Sequence, residues 1–376
     1  MSDPVLLHLT TPADWRAALA TGAVVPPSPA GAGFLHLSTP DQVHLPAGRL
    51  FAGRRDVVLL VIDPGRLPDP VRFEPDVPDD PGGMRFPHLH GPLPACAVVA
   101  VVPWRAGRAP ELPSPGDAAG RARALAVSLP LRRAAAVEDL RVGFVVADPA
   151  FPHSREDNRV LVTRAADADG VEATVRQVAA EAGWPAPAAT LFDPASGPVA
   201  DELARRGWDV SPAVVMARWL SAGVPGTAHT GPVADVVPQQ ALHGLWDRAW
   251  RRELGPVGRP GGLALDEVVG QLVGREHRTD RVVRVVDLAV RDGGEVVAAG
   301  QLRIDGATAA VESVLTEPTA RRRGAADAVL QRALQLAAGA GCDLVVLRAA
   351  ALDWPQHWYA RRGFEPVARS WDVARL

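Results

Sequence analysis

The sequence predicts an α/β (α+β) protein built of more than one domain. Three observations carry that expectation. At 376 residues the chain is too long for one ordinary core. Short β-branched runs alternate with segments of helical period, as in mixed sheets flanked by helices. Stretches rich in Gly, Pro and small residues divide the chain at two places.

Taken in order, residues 1–104 form a first unit, with strands expected at 57–62 and 97–102 between Pro/Gly turns. Residues 105–124 have the composition of a linker. A second unit covers 125–221. It holds a strand expected at 140–147 and a helix at 171–182, with Val171, Val175 and Val178 on one face. Its polar segment 151–160 could line a pocket, with a surface loop the favoured reading. A second linker, 222–237, leads to a third unit, 238–376. The first helix there is expected at 239–254, with Leu242, Leu245, Trp246 and Trp250 along one stripe. Strands at 281–290, 296–303 and 308–315 follow, joined by the hairpin signals RDGG at 291–294 and DG at 305–306. A helix at 324–338, a strand at 344–347 and a helix at 354–362 complete the set.

The composition, 47% hydrophobic and 22% charged, is that of a globular protein. A net charge of −3 gives no reason to expect a nucleic-acid or membrane surface, and neither is expected as a partner. Every basic residue other than histidine is Arg, so the chain has no lysine of its own to acylate. The two cysteines, Cys96 and Cys342, sit in apolar runs and read as buried free thiols in a reducing cytosol. The opening residues lack the pattern of a secretory leader, and the longest apolar runs fall far short of a membrane span. A cytoplasmic location is expected.

The six-residue segment LARRGW at 203–208 matches YARRGF at 359–364. Both copies end a helix at the glycine and pass into a strand, which favours an internal duplication.

The segment RRRGAA at 321–326 lies between an expected strand and an expected helix. Small residues at Gly324, Ala325 and Ala326 let backbone N–H groups approach an anion closely. The helix N-terminus adds partial positive charge, and Arg321, Arg322 and Arg323 add formal charge. Tyr359 is the only tyrosine of the chain.

Strand, R-x-x-G-x-A, helix, strand, and a helix closing in Y-x-x-x-G-F resembles the GNAT N-acetyltransferase superfamily over residues 238–376. The resemblance implies an N-acyltransferase with acetyl-CoA as co-substrate and a small-molecule or peptide amine as acceptor. It implies that the loop Arg321 to Ala326 binds the pyrophosphate. It further implies that Val314, Leu315 and Thr316 pair with the pantetheine arm, and that Tyr359 protonates the departing thiolate. A phenol suits that task because its pKa lies somewhat above that of a thiol. Glu312, two residues before Val314 and so expected on the same face of the strand, is the candidate base, with Glu317 at the strand end as the other. Residues 125–221 look like a degenerate GNAT copy. Leu203 stands where the phenol would be, and no R-x-x-G-x-A turn is found. A non-catalytic acyl-CoA sensor is the rival reading.

Five histidines fall within the first ninety residues. The segments LLHLTTPADW at 6–15, GFLHLST at 33–39 and FPHLHGPLP at 86–94 resemble the domain of unknown function 952 family over nearly all of 1–104. That resemblance implies a small α+β domain distantly like ADP-ribosyltransferases. It would put a site at His8, His36, Ser38, His88 and His90, with a transferase acting on nicotinamide dinucleotide as its furthest reading. Extended spacing lets His36 and Ser38 share a face, as it does His88 and His90. No acidic residue with ligand spacing accompanies them, so a hydrogen-bonded histidine network is weighed against ligand binding and no metal is assigned.

Overall fold

The protein is described by a computed structural model covering residues 5–26, 33–75, 83–220, 231–255 and 265–375. The front unit contains strands β1 (Leu6–Thr10), β2 (Ala23–Val24), β3 (Leu35–His36), β4 (Val58–Ile62), β5 (Val71–Pro75), β6 (Arg85–Leu89), β7 (Leu93–Pro94) and β8 (Val98–Pro103). Its helices are α1 (Pro12–Thr21) and α2 (His44–Leu50). The strands form two three-stranded sheets, β1-β4-β8 and β3-β6-β5, and the small pair β2-β7. Helix α1 starts where the Thr11 hydroxyl accepts from Asp14 N at 3.1 Å and stops at Gly22, with φ +89°.

The rest of the chain builds one sheet of eleven strands. The middle segment supplies β9 (Ala136–Leu140), β10 (Gly143–Ala147), β11 (Arg159–Val162), β12 (Ala188–Leu191) and β13 (Asp209–Trp219), with helices α3 (Ala118–Arg133), α4 (Ala168–Ala182) and α5 (Gly197–Arg205). The last segment supplies β14 (Asp235–Val237), β15 (Arg284–Asp292), β16 (Glu295–Asp305), β17 (Thr308–Thr316), β18 (Leu344–Ala350) and β19 (Glu365–Ala374). Its helices are α6 (His243–Leu254), α7 (Leu265–Gly274), α8 (Ala325–Gly339) and α9 (Pro355–Ala360). The mixed α+β character expected from the sequence is what the fold displays.

The strand order is β14-β15-β16-β17-β18-β13-β19-β12-β11-β10-β9. It reads alike from both ends. β17 and β18 are parallel, and so are β11 and β12; each pair is separated in sequence by one helix, α8 or α4. The closing strands are exchanged. β13 lies against β18, β19 lies against β12, and β13 and β19 pair antiparallel at the centre. The repeated six-residue segments occupy equivalent places. Gly207 (φ +82°) and Gly363 (φ +78°) take the left-handed conformation, and Trp208 N and Phe364 N bond back to the carbonyls of Leu203 and Tyr359 at 3.1 and 3.2 Å.

Three sequence readings need correction. The linker expected at 105–124 ends as the first half of α3, where Ala122 and Ala124 are buried and Arg121 is fully buried. Its guanidinium is satisfied by Asp343 at 2.6 Å, Thr308 Oγ1 at 3.0 Å and the Pro115 carbonyl at 2.9 Å. The strand expected at 140–147 is a hairpin, β9 and β10, turning at residues 141–142. Gly143 permits it with φ +155°, where a Cβ would stand 1.9 Å from the Leu161 carbonyl oxygen. The segment 151–160 is no surface loop at Ser154, Asp157 and Asn158, which are buried in an ionic network with Arg275, Arg278 and Arg133. Of the linker expected at 222–237, residues 222–230 lie outside the described residues, and its end is β14.

The front unit docks on the turn between β16 and β17. Ala307 N donates to the Val98 carbonyl at 2.7 Å, and the Thr308 hydroxyl donates to the Val99 carbonyl at 2.7 Å. A Cβ on Gly306 would lie 2.3 Å from the Val98 carbonyl oxygen. Trp15 Nε1 donates to Asp305 at 2.7 Å, and Asp305 also pairs with Arg132 of α3. Among the described residues no helix is long and apolar enough to cross a membrane.

Candidate functional site

β17 and β18 pair only over Thr308 to Ala310 and Leu344 to Val346. Beyond that β17 stays with β16 to Thr316, and β18 stays with β13 to Ala350. The parallel pair therefore opens into a gap between its C-terminal halves, with unpaired edge groups of both strands facing it.

A bulge marks the start of the gap. Gln301 pairs with Glu312 and Ala299 with Leu315, so Gly300 opposes two residues. Ser313 takes φ +53°, the left-handed region, and a Cβ on Gly300 would sit 2.7 Å from Val329 Cγ1 of α8. The bulge breaks the alternation of side chains. Val314 packs in the core under α8, whereas Glu312 lines the opposite face, the one covered by α3. The expectation that Glu312 and Val314 share a face is thereby corrected: the inserted residue turns them apart.

The turn from β17 to α8 carries the predicted anion motif. Arg322 (φ +61°) and Gly324 (φ +84°) both adopt the left-handed conformation. Arg321, Arg322 and Arg323 are exposed, Ala325 is buried and Ala326 half-buried. Helix α8 is capped by Gly324, which has no side chain to accept from its first amides, and no other side chain caps them among the described residues. Those donors and the guanidinia beside them suit an anionic group. The equivalent helix α4 differs at this point. Its cap, Asp167, accepts from Gly170 N at 2.7 Å, so the second unit fills the same position with its own carboxylate. Arg321 Nε lies 3.4 Å from the Thr316 carbonyl, which brings the loop next to Val314, Leu315 and Thr316, all half-buried along β17.

Tyr359 is buried on the α8 side, edge-on to Trp358 (4.7 Å between ring centroids) and Phe364 (5.7 Å). Burial, and after it the negative charge of Glu312, push its hydroxyl up to about 12. Arg362 of the repeated segment pairs with Asp327 in the first turn of α8, which ties α9 to the anion loop. Leu203, at the matching position of the second unit, is fully buried in that unit's core.

The two acidic candidates differ in circumstance. Glu317 is held by Arg248 at 2.6 Å and Arg252 at 2.9 Å, which anchors the loop to α6. Glu312 makes no hydrogen bond or ion pair among the described residues. Burial raises its pKa, with Arg303 and Arg348 pulling the other way. A carboxylate so placed is a stronger base than a solvated one. Glu156 and Arg159, both in the polar segment 151–160, and Arg303 and Arg348, not singled out from sequence, surround the same cavity. They come from three segments far apart in the chain, so no local spacing brings the set together.

In the front unit the structure gathers the predicted histidines around Phe34. The Phe34 ring stacks on His88 at 4.0 Å and lies 5.0 Å from His36 and 5.6 Å from His90. His8 Nδ1 lies 2.9 Å from the His36 carbonyl oxygen, and burial lowers the His8 pKa. Ser38 is buried and bridges to Leu7 through backbone bonds of 2.8 and 2.9 Å. The acidic partner missing from the sequence reading is Glu74 on β5. Its Oε2 lies 3.1 Å from both His88 Nδ1 and His90 Nε2, and the His88 bond is the main cause of its lowered pKa. Among the described residues no three of His, Cys, Asp and Glu come together so as to hold a metal ion.

Comparison with known proteins matches two separate parts of the chain. Residues 248–364 match the acetyltransferase (GNAT) family, and residues 9–101 match a family described as protein of unknown function (DUF952). No curated protein matches the chain. Among solved structures it is similar to a GCN5-related N-acetyltransferase from Kribbella flavida, at 19% identity over 67% of this chain and 94% of that one, TM-score 0.45. It is also similar to a tandem GNAT protein from the clavulanic acid biosynthesis pathway, at 16% identity over 55% and 69%, TM-score 0.39. The front unit is similar to a protein from Caulobacter crescentus, at 30% identity over 28% of this chain and 92% of that one, TM-score 0.24.

Proposed function

We propose that this chain, with a GNAT acetyltransferase domain at its C-terminal end and a DUF952 domain at its front, is an acetyl-CoA-dependent N-acyltransferase acting on a small-molecule or peptide amine. The observation that carries the reading is the gap between β17 and β18, with an uncapped helix N-terminus at its mouth, a phenol on one side and an unpaired carboxylate on the other.

The residues divide the work as follows. The amides of Arg322 to Ala326 and the arginines beside them hold the diphosphate. The edge groups of Val314 to Thr316 take the pantetheine arm as a short extra strand, and the backbone opened by the bulge supplies donors for the oxyanion. Glu312 accepts a proton from the attacking amine as its nitrogen bonds to the carbonyl carbon. Tyr359 gives its proton to the sulfur as the C–S bond breaks. The degenerate unit serves as a structural partner that completes the sheet and one wall of the acceptor side.

The test is calorimetry with acetyl-CoA followed by an acetyl-transfer screen over amines. Binding with transfer supports the reading. Binding without transfer to any amine points to an acyl-CoA sensor, and no binding at all removes it.

A further inference from the structure

We infer that the acceptor is an amine carrying an anionic group, a carboxylate or a phosphate, and that it enters through a cavity built jointly by the two halves of the sheet and α3. This rests on the acyl-transfer reading above and names the acceptor class for it.

The cavity has a volume of about 1080 Å³, room for a metabolite-sized molecule. It lies under α3, on the sheet face that carries Glu312. Phe144, Arg159 and Phe192 of the middle segment and Arg303, Glu312 and Arg348 of the last segment line it together, with Arg159 and Arg348 meeting at Asp372. Glu312 on β17 and Leu347 on β18 are the first lining residues past the point where the strands part, so the cavity opens into the gap where the thioester would lie. Gln356 of α9, three residues before Tyr359, lines it as well.

Its charge is unbalanced. Nine arginines line it (Arg105, Arg108, Arg123, Arg133, Arg159, Arg164, Arg303, Arg348 and Arg369) against four carboxylates (Glu111, Asp117, Glu156 and Glu312). Carboxylate partners offset much of this: Arg105 and Arg108 meet Asp139 at 3.2 and 3.5 Å, and Arg123 pairs with Glu111 at 3.1 Å. Arg133 pairs with Asp157 at 2.8 Å, and Arg303 with Glu276 at 3.0 Å. Arg159 and Arg348 share the single carboxylate of Asp372, at 3.7 and 2.9 Å, and that side chain is 45% exposed. Arg159 Nε is buried without a hydrogen-bond partner, and burial outweighs the neighbouring carboxylates in lowering the Arg159 pKa. Two guanidinia that meet at one carboxylate, one of them with a buried Nε left unbonded, are a place for an anion. Across the cavity Glu156 is taken by Arg275 at 3.2 Å, whereas Glu312 is unpaired. The cavity thus offers an unpaired carboxylate for an amine and incompletely paired guanidinia for an anion.

The experiment uses the full chain and four amines in matched pairs: β-alanine with β-alaninamide, and O-phosphoethanolamine with ethanolamine. Acetyl transfer is measured for each, and binding of each to the CoA-saturated protein is measured by calorimetry without turnover. The expected result is a preference of about tenfold or more for the anionic member of at least one pair, in kcat/KM and in Kd, and the two pairs separate carboxylate from phosphate. Arg159→Gln should raise KM for the anionic acceptors about tenfold more than for the neutral ones. Should that variant fail to fold, raising NaCl from roughly 0.05 to 0.5 M on the unaltered protein should raise KM for the anionic amines alone. Equal use and equal binding of charged and neutral members overturns the inference while leaving acyl transfer standing. Loss of acetyl-CoA binding and of all transfer overturns the reading beneath it, and the calorimetry with the four amines still decides the cavity.

Discussion

Tyr359 and Glu312 stand on opposite faces of the sheet, yet close enough that the carboxylate charge adds to burial in raising the phenol's pKa. On the proposed reading this sets the acid and the base on either side of the gap between β17 and β18, so the amine proton and the sulfur proton would travel by separate routes.

Tyr359→Phe removes the acid and keeps the ring. We expect acetyl-CoA affinity to stay within about twofold and kcat to fall by roughly 10²–10⁴. With its pKa at about 12 the phenol is protonated throughout the working pH range, so no alkaline loss of activity below that value belongs to it. Steady-state kinetics with a CoA titration checks both; an unaltered kcat would discard the acid assignment.

As the proposed base Glu312 would act in its ionised form, and burial holds its pKa above the usual 4.5. Activity should therefore decline as pH falls through that raised value, giving an acid limb above 4.5. Stability runs the opposite way. A folded pKa above the unfolded one makes a contribution that is complete below the unfolded pKa and lost as pH rises through the folded one. Glu312→Gln should abolish the acid limb, slow turnover and raise the melting temperature at neutral pH. A pH–rate profile and a thermal melt read the two effects independently.

Gly324 holds φ +84° at the head of α8, and a Cβ there would stand 3.6 Å from Pro232 Cδ. Gly324→Val forces a branched residue into the left-handed region at a cost of about 1–2 kcal/mol, or reshapes the turn. Either outcome disturbs the amides, and acetyl-CoA Kd should rise about tenfold. An unchanged Kd would show that this turn does not hold the diphosphate.

The Arg132–Asp305 pair, each side chain 2% exposed, joins α3 to the β16–β17 turn, and Trp15 of the front unit bonds to the same carboxylate. Asp305→Ala strands a buried guanidinium and should cost about 3–5 kcal/mol in urea unfolding. Arg16→Ala, which breaks the more exposed pair with Asp280, should cost under about 1 kcal/mol. Similar losses from both would refute the view that Asp305 is the anchor of the front unit.

The parts legible from sequence were those fixed by local chemistry. Left-handed glycines close the two ARRG helices, and Gly324 opens α8, because glycine alone reaches those φ values without strain. The bulge at Ser313 was not legible. It lies in the pairing of β16 with β17, beside a Gly300 that α8 approaches too closely for a side chain, and it sends Glu312 to the other face. Helix α3 was hidden in a composition of Ala, Gly, Pro and Arg, since its stability comes from partners such as Asp343 and Asp305, which lie far along the chain. Glu74 escaped notice for the same reason: it meets His88 and His90 only through the pairing of β5 with β6.

β13 runs along the whole of β18, so the strand that borders the gap is backed by a piece of the middle segment. A copy with a self-contained core would be free to erode or be lost. Removing this one would leave β18 and β19 without their shared neighbour, so on the proposed reading selection for turnover in one half would police the sequence of the other.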